Sequence, residues 1–185
     1  MSALRYIALC ALVPIVLVPA ERFTAVAVNS GNPGPAWTSP VDIVVTHWSS
    51  EADQSELTGV LLARGEAALL EALRDRPSVG YIRTPNSLAY DLRFAREFPG
   101  DDGGRRIVLG TDRPIMFWEA WHRPRSIDYP FTIVELRLNR EGQGEGKMSS
   151  AARITVDRAH NAIVLENYGL APVQLMNVRT VAPTT

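Results

Sequence analysis

Lysine is nearly absent from this chain. Lys147 stands alone against eighteen arginines, and 20 acidic residues bring the formal net charge to -1. No Lys/Arg run interrupts that balance, so the composition carries neither a nucleic-acid footprint nor a basic amphipathic stretch for a membrane surface. Cysteine is as scarce. Cys10 is the only one, and it lies in an apolar run that continues past it, unlike a lipid-attachment site. With 3 histidines and that single cysteine, the sequence supports no structural zinc site. No His-Glu-x-x-His and no Gly-x-Ser-x-Gly occurs. "EGQGEGK" (141–147) fails as a phosphate loop, because Met148 follows the lysine and a strand pattern follows the glycines. No motif calls for a cofactor or a metal.

A long hydrophobic run is also missing. The longest, Tyr6 to Val18, is shorter than the roughly 20 residues that a spanning helix needs. Arg5 precedes it and small residues follow, which is the pattern of an export leader. Cleavage sites are offered after Ala20 and after Ala27. The better small-x-small match, Ala25-Val26-Ala27, assigns residues 1–27 to a signal peptide. The mature protein is then exported, periplasmic or secreted, with no membrane span after processing and no cysteine. "NSGNPGPAWTSP" follows, so residues 28–40 read as a flexible lead-in and 41–180 as a single β-rich domain.

What is present is mostly strand pattern. "VDIVVTHW" (41–48) is β-branched and apolar. Ser50 and Asp53 then have capping-box spacing for a helical insert from about 51 to 74, broken at Gly65. Period-two alternation runs through 79–84, 88–98, 105–111, 131–140, 147–157, 162–167 and 173–178, with turns at 99–104 and 141–146. Short turns force antiparallel neighbours. The expectation is an α+β, mostly antiparallel β fold: a curved meander, barrel-like or sandwich, of about eight strands with a helical insert after the first strand.

Chemistry concentrates in "FWEAWHRPRSIDYPF" (117–131). Asp112 and Pro114 suit the start of a short helix that Pro124 ends. On it Phe117 and Trp121 share a side, while Trp118 lies off it, so one ring is left for the surface or a groove. Arg123 and Arg125 flank the rings with forks that suit carboxylates or phosphates. Trp118, Trp121, His122, Arg123, Arg125, Tyr129 and His47 therefore form the candidate binding set for an envelope partner or small ligand. Glu119-x-x-His122 is a single half of a di-metal motif, and Glu119 is better matched to Arg123 at i,i+4. The alternative is a hydrolase-type enzyme that uses His47 or His122 with Asp112, Glu119 or Asp128. A third reading is an assembly subunit that pairs through a free sheet edge.

The segments "VDIVVTHWSS", "PSVGYIRTP", "RRIVLGTDRPIMFWEAWHRPRSIDYPF" and "LRLNREGQGEGKMS" resemble blocks of a family of uncharacterised exported bacterial proteins. The resemblance implies a bacterial, signal-bearing protein and gives no residue a role.

Overall fold

The computed structural model describes residues 20–31, 36–85, 87–115, 128–157, 160, 162–167 and 171–182. Among them ten strands and two helices follow in the order β1 (Glu21–Asn29), β2 (Trp37–Val45), α1 (Glu51–Arg64), α2 (Glu66–Arg74), β3 (Gly80–Arg83), β4 (Tyr90–Leu92), β5 (Phe94–Pro99), β6 (Arg105–Gly110), β7 (Phe131–Leu138), β8 (Gln143–Asp157), β9 (Ala162–Asn167) and β10 (Val173–Val181). Every described pairing is antiparallel. The sheet order is β4-β3-β2-β1-β10-β8-β7-β6-β5, with β9 off this path on β8.

The two ends of that order, β4 and β5, are separated in the chain by Arg93 alone. A sheet whose opposite edges are one residue apart must curl until they meet, so it is a nearly closed barrel. Counting β4 and β5 as one bent strand leaves eight positions around it. Barrels of that size are just wide enough for side chains to fill. Phe23, Ile43, Ile82, Leu92, Ile107, Leu109, Leu136, Met148 and Leu175 fill it, each fully or almost fully buried.

The helices lie outside the barrel. Leu57 and Leu61 of α1 and Leu69 and Leu73 of α2 pack with Phe131 of β7 and Ala152 of β8, a second apolar cluster on the outer face. The expected capping box starts α1: Asp53 N–H donates to Ser50 Oγ (3.1 Å), and the Ser50 N–H donates back to Asp53 Oδ2 (2.7 Å). Gly65, at φ +83°, separates the helices as its flanking residues suggest. Among the described residues no helix is long and apolar enough to cross a membrane.

Three expectations need correction. The sheet begins at Glu21, not near Val41. "ERFTAVAVN" is a strand between β2 and β10 that buries Phe23, Ala25 and Ala27. Its small alternating residues look like a cleavage site because small residues also suit a crowded barrel wall. Val28 and Asn29 belong to β1 and residues 37–40 to β2, so of the assigned lead-in at least these are strand. The helical pair follows the strand read from "VDIVVTHW", as expected; that strand is second along the chain. Next, 88–98 is not one straight strand. Leu92 and Ala95 both face the interior, so the alternation changes phase at Arg93, where the barrel closes; Leu88 is exposed. Finally, Gly144 and Gly146 are in β8 rather than in a turn. A Cβ on Gly144 would lie 1.9 Å from the Arg137 carbonyl oxygen, so close strand approach excludes a side chain there.

Candidate functional site

β6 and β7 pair directly, from Arg105 with Leu138 to Gly110 with Ile133. Hairpin neighbours of this kind are joined by about two to five residues. Here the connection is the whole of 111–130, which contains most of the chemistry-rich segment. Both of its ends are fixed. The Thr132 N–H donates to Thr111 Oγ1 (3.0 Å), and the Thr111 N–H donates to the Thr132 carbonyl oxygen (3.0 Å). The Ile115 N–H donates to Thr132 Oγ1 (2.6 Å), whose own hydroxyl donates to the Ser150 carbonyl oxygen (2.8 Å). Thr111, Thr132 and Ile115 are buried, so this lock is shielded from water. At the return end Asp128 and Pro130 line a small pocket of ≈ 240 Å³ with Glu66, Leu70 and Arg153.

The bend at Arg93 reaches the same rim. The Arg93 N–H donates to the Gly110 carbonyl oxygen (2.9 Å), immediately before the connection departs. Two residues on, Ala95 exchanges hydrogen bonds with Ser49: the Ser49 N–H donates to Ala95 O (2.7 Å), and the Ala95 N–H donates to Ser49 Oγ (3.1 Å). The loop that carries His47 and Trp48 is thereby tied to the bent strand opposite Leu109, and it leaves β2 where Val45 pairs with Glu21. His47 is exposed, with Nδ1 3.2 Å from Thr46 Oγ1; Trp48 is half-buried against the barrel core.

Asp112 does not cap a helix among the described residues. Its side chain is buried between two guanidinium groups, with Oδ2 3.6 Å from Arg93 Nε and Oδ1 3.6 Å from Arg113 Nε. Oδ1 is buried without a hydrogen-bond partner. Asp112 lies two residues beyond the end of β6, so its carboxylate meets the bend at Arg93. Of the proposed acid–base set, His47 and Asp112 contact different groups and share no hydrogen bond. Asp128 is exposed and Tyr129 half-buried. Trp118, Glu119, Trp121, His122, Arg123 and Arg125 lie outside the described residues. His160 bonds Asp157 across the β8–β9 turn, with Nδ1 to Oδ2 at 2.6 Å, the local pairing expected of a polar turn. Among the described residues no group of three or more His, Cys, Asp or Glu could hold a metal ion.

No family model, curated protein or solved structure matches the chain.

Sequence reasoning missed the charges at the other mouth of the barrel. Glu21, Glu97 and Arg105 keep the inward phase of their strands, and Arg105 bonds both acids, at 2.5 Å to Glu21 and 3.1 Å to Glu97. The hydrogen bonds that Arg105 donates to Glu21 hold its guanidinium above the usual arginine range, despite partial burial. These residues end the apolar interior with an ion-pair plug. Below it the β5–β6 and β7–β8 turns flank an open cleft of ≈ 870 Å³ that receives Arg105, Arg106, Arg137 and Arg140, together with Asp101 and Glu141. Arg106 sits over the Phe98 ring at 4.9 Å. The signal that could have found the plug is a charge on the apolar phase of a strand, at 21, 97 and 105. Its meaning depends on barrel closure, which places the three together.

Proposed function

We propose that this protein is an exported, non-catalytic binding module of the bacterial cell envelope, and that it makes contact through the β6–β7 connection. One observation carries the reading: two directly paired strands are joined by residues 111–130, held at both ends by buried threonine hydrogen bonds. Long connections on a rigid scaffold are where binding residues concentrate. The sequence of the connection carries Trp118, Trp121, His122, Arg123 and Arg125, with Tyr129 at its return end. His47 stands apart from this set, because its loop leaves β2 where Val45 pairs with Glu21. Aromatic faces and arginine forks together suit a ligand with a flat or apolar part and a carboxylate or phosphate.

The resemblance to exported bacterial proteins and the leader pattern support the envelope location. Cleavage after Ala20 fits better than after Ala27, because the latter would remove Phe23, Ala25 and Ala27 from the barrel wall.

Site-specific photo-cross-linking in the periplasm tests the reading. A cross-linking residue at Trp121 is expected to capture an envelope component, whereas one at Leu88, which is 90% exposed on another loop, captures none. Equal labelling at both positions, or none at Trp121, contradicts it.

A further inference from the structure

β8 is 15 residues long and serves two structures. Its first half lies in the barrel between β7 and β10; its second half pairs with β9 as a two-stranded ribbon. Such a ribbon is marginal in water unless a third strand or a helix supports it. One edge is supported. Glu66 of α2 accepts a hydrogen bond from the Ile154 N–H (2.9 Å) and pairs with Arg153 (3.2 Å), which blunts the β8 side. The β9 side has no such cover: among the described residues β8 is its sole strand neighbour.

β9 lacks the usual protections of an open edge. "AIVLEN" has no lysine, no proline and no register shift against β8. Its apolar side chains face solvent on both sides, with Ile163 52%, Leu165 43% and Val164 36% exposed. Ile163 lies opposite Val156 and Leu165 opposite Ile154, so these two continue the rows whose inner members pack in the helix-covered cluster.

We propose that β9 pairs antiparallel with β9 of a second copy of this chain, which forms a two-fold dimer through a continuous β8-β9-β9-β8 sheet. Self-pairing explains the sequence better than a foreign strand does. A two-fold axis normal to a sheet requires one residue to face its own copy, and Val164 is near the middle of the strand. Ile163 then faces Leu165 of the second copy. The rows Val156–Ile163 and Ile154–Leu165 each extend into the other row of that copy, so both apolar stripes run across the axis. Glu166, the one charge on the strand, faces Ala162, so no like charges oppose.

Sedimentation velocity of the full chain over a concentration series tests this. The expected result is a dimer that Val164→Lys dissociates, with the dimer dissociation constant raised about tenfold or more, because two ammonium groups then meet on the axis. Unchanged far-ultraviolet circular dichroism of the variant separates dissociation from unfolding. An independent variant, Val164→Cys in a Cys10→Ser background, is expected to form an interchain disulfide on mild oxidation, since facing strand positions lie within disulfide reach. A monomer at every concentration, a dimer that Val164→Lys leaves intact, or a Val164→Cys chain that stays unlinked would overturn the proposal.

Discussion

Asp53 joins three parts of the helical layer with one carboxylate. It caps α1 through Ser50, and it accepts a hydrogen bond from Arg76 (2.6 Å), which follows α2. The Ser50 hydroxyl first, then the Arg76 guanidinium and the Ser50 N–H, hold its carboxyl well below the usual aspartate range. A depressed folded-state pKa means that the stabilisation is complete above the ordinary aspartate value, about 4, and is lost as pH falls through the lower folded value. Its side chain is 34% exposed, so solvent screening limits the effect. Asp53→Asn is expected to cost on the order of 1 kcal/mol at neutral pH. Denaturant melts should also show a shallower loss of stability below about pH 4 than in the parent chain. Equal acid sensitivity in both would remove this role. This contact is readable in the sequence because its motif is local. The Glu21–Arg105 pair is not, since its partners are 84 residues apart and meet only when the sheet closes.

At the scale of elements, the errors of a sequence reading share one physical origin. Alternation reports which face of a strand is buried, and it says nothing about where that face turns. β4 and β5 look like one straight strand until the phase change at Arg93 is seen as the closing bend. β10 has a comparable break: its register with β8 shifts between Leu175 and Val178, where Asn177 takes φ +52°. Glycines mislead in the same way. Gly144 reads as turn composition, yet it lies in β8 because the strand packs so tightly on β7. Gly144→Ala would set a methyl group 1.9 Å from the Arg137 carbonyl oxygen. We expect a loss of about 2 kcal/mol or more, the usual result of forcing volume into a packed site, read as a fall in thermal midpoint. An unchanged midpoint would mean that the β7–β8 approach is looser than described. The helical pair and its break at Gly65 are, by contrast, legible, because capping and helix-ending signals act within a few residues.

For the whole molecule, the mostly antiparallel, barrel-like architecture follows from short turns and period-two alternation. The start of the barrel does not, because an export leader and a small-residue strand share the same alphabet. On the proposed export, the intact mass of the mature protein separates them. Cleavage after Ala20, which leaves β1 whole, is the expected result; a chain beginning at Val28 would show that the barrel forms without Phe23, Ala25 and Ala27. The segment proposed for binding is legible as a dense stretch of chemistry, while the anchoring of the connection that carries it is not. The threonine lock joins residues 21 apart, and the Ser49–Ala95 link joins residues 46 apart. The proposed contact surface requires a solvent-accessible aromatic ring on the β6–β7 connection. Trp37 and Trp48 are partly buried against the barrel core, so they form a background common to parent and variant. Acrylamide quenching of tryptophan fluorescence tests the claim most directly. The expected result is an accessible fraction that falls in the Trp118→Phe, Trp121→Phe double variant; no accessible fraction in the parent, or an unchanged one in the variant, would mean that the connection exposes no ring.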